Sequence, residues 1–134
     1  MSRLSDIEGI GEVYSAKLED AGISTLEALL EAGSERKERK EIAENAGISE
    51  KLVLKWINRA DLARVNGIST QYADLLEVAG VDTVPELAQR RADNLHATVT
   101  EVNDNIKLVR KVPALSQVEN WIAQAKKLPR VVNY

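Results

Sequence analysis

A block of sequence near the start of this chain returns 58 residues further on, and that return leaves few folds open. Gly9-Ile10 aligns with Gly67-Ile68, Tyr14 with Tyr72, Leu18 with Leu76, and Ala21-Gly22-Ile23 with Ala79-Gly80-Val81. Thr25 then matches Thr83, and Leu29 matches Leu87. Matches in register, glycines included, point to an internal duplication, so whatever folds one copy should fold the other. Beyond this block the offset becomes 65, pairing Val53 with Val118, Trp56-Ile57 with Trp121-Ile122, and Ala60 with Ala125. The second copy therefore carries about seven extra residues, expected between Asn94 and Arg110. There Leu95, Val99, Val102 and Ile106 mark a long amphipathic helix.

Within each copy the apolar residues recur at helical spacing, not in the alternation of a half-buried strand. Ile7 leads into Gly9-Ile10-Gly11, and a helix is expected over Glu12–Ala21, stopped by Gly22. Ser24 and Thr25 can cap the next short helix, with Glu27 in capping-box spacing from Ser24. Gly33-Ser34 ends it and opens a third, whose charges from Glu35 to Glu41 read as a solvated face. Ala46-Gly47-Ile48-Ser49 forms a second turn, after which Ser49 caps a helix burying Leu52, Val53, Trp56, Ile57 and Ala60. Leu128-Pro129 ends the last helix and leaves a short tail, read as loose.

The fold expected is all-α: two tandem five-helix, SAM-like units packed into one compact body. The first spans residues 1–62, the second 63–130 and the tail 131–134, with alanines letting helices approach closely.

Composition bounds the chemistry. There is no cysteine, hence no disulfide, thiolate nucleophile or cysteine zinc site. No apolar run approaches the roughly 20 residues that cross a bilayer, so no membrane partner is expected and the cytoplasm is the default compartment. His96 is the only histidine and has no partner motif. No P-loop, nucleophile elbow or dinucleotide fingerprint occurs, so neither an enzyme nor a cofactor or metal site is expected.

Glycines flanking one buried isoleucine suit a tight turn between two helices. Gly9 can take backbone angles closed to other residues, and Gly11 leaves the next helix N-terminus bare. Unpaired N–H groups and a partial positive charge at such an N-terminus can hold a phosphate. This turn resembles the hairpin of the helix-hairpin-helix motif. The order GIGxxYxxxLxxAGIxTLxxLL, then AENAGISEKLVLKWI, is similar to the five-helix N-terminal domain of RecA-superfamily recombinases. It is also similar to the C-terminal domain of the RNA polymerase α subunit. From Leu4 to Pro129, through LKWINRADL, LLEVAGVDTVPEL and VENWIAQAKKLP, the chain closely resembles a family catalogued as a domain of unknown function built from tandem helix-hairpin-helix units. The resemblance implies a module that binds DNA backbone, a protein, or both.

Charge distinguishes the two hairpins. The net charge is −3, but residues 1–106 hold 12 Lys+Arg against 20 Asp+Glu, while residues 107–134 hold 6 against 1. Asp6, Glu8 and Glu12 surround the first hairpin, and carboxylates there repel an incoming phosphate. Gly9, Gly11 and Gly47 are accordingly read as structural turn residues. The second hairpin, with Arg64 upstream and neutral Asn66, Gly67, Ser69, Thr70 and Gln71, is the better DNA candidate. Lys107, Arg110 and Lys111 add sequence-independent phosphate anchors. The rival expectation is a protein-interaction scaffold that kept the fold without DNA binding, and the acidic body favours it.

Overall fold

A computed structural model describes Arg3, Leu4, Ile7 and residues 10–133. Among the described residues the chain is all-α, with eight helices and one isolated bridge, between Arg3 and Thr25. Gly9, Asp6 and Glu8 lie outside the described residues.

The chain divides into two units, residues 1–61 with 130–134, and residues 62–129. Unit 1 contains α1 (Glu12–Asp20), α2 (Leu26–Ala32), α3 (Arg36–Ala46) and α4 (Glu50–Leu62), whose last residue opens unit 2. Unit 2 contains α5 (Thr70–Val78), α6 (Val84–Gln89), α7 (Ala92–Ile106) and α8 (Leu115–Lys127).

Helix ends follow local chemistry. Thr25 is the N-cap of α2, its hydroxyl accepting from the Ala28 N–H at 3.0 Å. The cap is therefore Thr25, and the Ser24–Glu27 box expected from spacing gives way to it, because it is Thr25 that holds the extended conformation (φ −135°) an N-cap needs. Ser49 and Ser69 cap α4 and α5 through the Leu52 and Tyr72 N–H groups, each at 3.2 Å. Gly22 (φ +89°) and Gly80 (φ +97°) end α1 and α5 in the left-handed region. Beyond them Ile23 N–H reaches the Leu18 carbonyl at 2.9 Å, and Val81 N–H reaches Leu76 at 2.8 Å. These six-to-one bonds satisfy carbonyls that a helix end leaves open.

Each unit has its own apolar core. In unit 1, Leu18, Leu29, Val53 and Ile57 are fully buried, and Trp56 meets Tyr14 with ring centroids 5.1 Å apart at 61°. In unit 2, Leu87, Leu95, Val99 and Val118 are fully buried, and Trp121 meets Tyr72 at 5.4 Å and 53°. Tilted aromatic pairs of this kind add about 0.5–1.5 kcal/mol to what area burial contributes. Gly33 closes α2 where any side chain would run into Ile57 Cδ1, so the glycine there serves close packing.

Two expectations fail in unit 1. Arg39, read as part of a solvated face, is 4% exposed. Its guanidinium donates to the carbonyls of Gly33 at 3.0 Å, Ser34 at 3.1 Å and Asn133 at 2.7 Å. Val132 and Asn133 of the tail are not loose either. Asn133 donates its N–H to the Ser34 carbonyl at 2.8 Å and its side-chain amide to Glu35 Oε1 at 2.7 Å, while Val132 is buried in the unit 1 core. A solvated charge run hides such a residue, because one of its partners, Asn133, lies 94 positions away in sequence.

The extra residues of unit 2 are shared between a helix and a loop. Helix α7 has 15 residues where α3 has 11, and residues 107–114 join α7 to α8 where only 47–49 join α3 to α4.

Candidate functional site

The α7–α8 loop and the start of α5 form the wall of an open cleft in unit 2, with a volume of about 720 Å³. Lys107, Arg110 and Lys111 contribute three cations to it, and Asp104 one carboxylate. From α5 come Gln71 and Tyr72; the loop adds Leu108 and Val109.

The loop is held, not free. Helix α7 ends at Lys107, whose φ of +50° is the only positive value at a non-glycine among the described residues. Its N–H bonds the Asn103 carbonyl at 2.8 Å. Asn103, itself buried, grips the main chain of Val109 from both sides: its Nδ2 donates to the carbonyl at 3.0 Å, and its Oδ1 accepts from the N–H at 2.9 Å. At the far end the Tyr72 hydroxyl donates to the Lys111 carbonyl at 3.1 Å. Side-chain bonds to both ends therefore fix the main chain that carries the three cations.

The hairpin at residues 66–70 is built against α8. Gly67 has φ +98°, and a Cβ there would lie 2.9 Å from Trp121 Nε1, so both backbone angle and space require glycine. Asn66 gives its N–H to Gln124 Oε1 at 2.8 Å and takes a bond from Gln124 Nε2 at 3.0 Å. Its main-chain donor is thus engaged inside the protein. Ser69 and Thr70 are exposed at the first turn of α5, whose next two residues enter the cleft. Arg64 donates to the Pro129 carbonyl at 3.0 Å and does not line the cleft.

Of the residues expected to contact nucleic acid, the structure thus gathers Lys107, Arg110 and Lys111 and brings α5 to them. Arg64, Asn66 and Gly67 face other partners. Asn103 went unnoticed in the sequence, although a signal existed: it stands eight after Leu95 and four after Val99, a polar residue in an apolar helical stripe.

In unit 1 the corresponding turn looks different. Gly11 is the N-cap of α1 with φ −91°, an ordinary extended conformation, no side-chain cap and open space where a Cβ would stand. Lys17, the one cation near it on α1, sits with Nζ 5.7 Å from the Tyr14 ring centroid. Gly47 (φ +68°) ends α3, and the Ile48 N–H beyond it bonds the Ala43 carbonyl at 3.0 Å.

Among the described residues no three His, Cys, Asp or Glu side chains gather as a metal site, and no helix is long and apolar enough to cross a membrane. His96 is half-buried, its carbonyl accepting from the Thr100 hydroxyl at 2.7 Å.

The chain belongs to the family described as a domain of unknown function (DUF4332), whose family model matches residues 8–128. No curated protein and no solved structure matches it.

Proposed function

We propose that this chain is a non-catalytic module of two tandem helix-hairpin-helix units that binds nucleic-acid backbone weakly and without sequence preference. Support for the duplication comes from the paired features of the two units: Gly22 with Gly80, and Tyr14–Trp56 with Tyr72–Trp121. The observation that carries the binding role is the cleft of unit 2, where Lys107, Arg110 and Lys111 stand at a fixed loop beside the first turn of α5. Cations on a fixed frame suit a polyanion, and their attraction to phosphates carries no sequence information. Among the described residues of unit 1 only 47–49 join α3 to α4, too short for such a loop, so unit 2 is assigned the nucleic-acid contact.

Fluorescence anisotropy of labelled DNA at about 50 and 200 mM salt tests the reading. Neutralising about three phosphates predicts a roughly 20- to 40-fold loss of affinity over that range, because each contact releases condensed counterions. Binding insensitive to salt, or none at low salt, would exclude it.

A second reading, a protein-interaction module, is favoured by unit 1. Its residues include 13 Asp+Glu against 10 Lys+Arg, and Val13 on α1 is 69% exposed. A protein captured by unit 1 alone, in the absence of nucleic acid, would support it.

A further inference from the structure

We infer that the unit 2 cleft receives a single unpaired nucleotide, so that the chain prefers nucleic acid with a free or extruded base over uninterrupted duplex. The inference rests on the nucleic-acid reading above and deepens it.

Backbone contact alone needs only a cationic surface, because the phosphates of a duplex lie on its convex outside. This site is concave, and its volume of about 720 Å³ falls in the range of pockets that enclose small ligands, roughly 300–1,000 Å³. Its chemistry is also mixed. Leu108 is 37% exposed between Lys107 and the half-buried Val109, an apolar side chain that a phosphate cannot use. A base face can. Packing against a nucleobase covers apolar surface and tolerates any base, because each has a flat, largely apolar face. Gln71, exposed on α5, also lines the cleft and offers an amide to a base edge. The Asn103 amide, by contrast, is committed to Val109. Cations for a phosphate and an apolar contact for a base within one cleft match the two halves of a nucleotide.

The cleft also exists before anything enters it. Asn103 holds Val109 and Tyr72 holds Lys111, so a ligand need not order the loop on arrival. A base inside a duplex is stacked and paired, and extracting it has a cost that an end or a single strand does not carry. Discrimination between substrates follows from that difference.

Three labelled probes test this: a single strand of about 12 nucleotides, the blunt duplex of the same length, and that duplex with two unpaired thymines at one end. The overhang probe should bind about fivefold or more tightly than the blunt duplex, the gain expected when a base face covers roughly 40 Å² of apolar surface. Leu108→Ser should abolish that difference, since the base then loses its apolar contact. Lys107→Ala with Lys111→Ala should weaken all three probes. Circular dichroism of each variant reports that the helices are intact. Equal affinity for blunt and overhang probes, or a preference that survives Leu108→Ser, overturns the nucleotide cleft while leaving backbone binding in place. Competition by an acidic leucine-containing peptide as effective as the single strand would likewise overturn it. Absence of salt-sensitive binding by any probe overturns both readings together.

Discussion

Gln124 holds Asn66 by both of its main-chain groups, Oε1 taking the N–H at 2.8 Å and Nε2 reaching the carbonyl at 3.0 Å. One amide side chain on α8 thereby copies what a neighbouring strand would do for a β-residue, and it fixes the hairpin ahead of α5. Gln124→Ala should lower stability by about 1 kcal/mol, modest because both bonds are solvent-exposed. Hydrogen exchange at the Asn66 amide should accelerate selectively in that variant. Unchanged exchange there would show that the clamp does not persist in solution.

Gly67 and Gly11 should respond oppositely to a side chain. Gly67→Ala meets a left-handed backbone and the Trp121 indole, so a loss of about 1–3 kcal/mol in urea unfolding is expected. Gly11 has an extended N-cap conformation and empty space around it. Gly11→Ser should be neutral or stabilising by a few tenths of a kcal/mol, since serine and glycine differ little at an N-cap and serine adds an acceptor.

Arg39 should be among the most sensitive surface-type residues of the chain. Arg39→Ala removes a cation donating to three carbonyls in a largely buried setting, and a loss of about 2–4 kcal/mol is expected. Unfolding followed through Trp56 in a Trp121→Phe background would report it from unit 1. Asn133→Ala should show a smaller effect of the same sign, losing only the Glu35 contact.

Asn103 is a positioning residue for the cleft. Asn103→Ala should release the Val109 loop, cost about 1–3 kcal/mol, and weaken binding to the overhang probe more than to the blunt duplex. Equal weakening of both would assign Asn103 a structural role only.

Acid should weaken the start of α6 through Glu86. The Glu86 carboxyl is held below its ordinary range, first by hydrogen bonding with the Asp82 side chain and, against some desolvation, by the Thr83 hydroxyl at 2.9 Å. A lowered folded pKa makes the contribution complete above the unfolded value, about 4.3, and lost as pH falls through the folded one. Glu86→Gln should therefore melt slightly below the parent near neutral pH, and the two melting curves should converge in acid.

Local rules carried the helices into view. Thr25, Ser49 and Ser69 cap, Gly22, Gly47 and Gly80 terminate, and Trp56 and Trp121 anchor cores, each signalled by residues within one turn of it. What stayed hidden depends on distant partners. Arg39 reads as one charge in a charged run until Asn133 arrives beside it, and Val132 reads as tail until it meets the unit 1 core. The cleft was half legible: Lys107, Arg110 and Lys111 stand out as cations, but nothing within their own segment reveals that Tyr72, 39 residues upstream of Lys111, ties them to α5. Arg64 and Asn66 were attractive by type and are engaged elsewhere by bonds that bridge 65 and 58 residues.

Residues 130–133 complete unit 1, although the whole of unit 2 is encoded before them. Translation usually lets the N-terminal portion of a chain finish first. Here unit 1 takes its final segment from beyond unit 2. Without residues 130–133 unit 2 has every residue it needs, while unit 1 lacks a core valine and one of the three carbonyls that Arg39 holds. A chain cut after Pro129 would therefore keep unit 2 whole and leave unit 1 with a gap in its core.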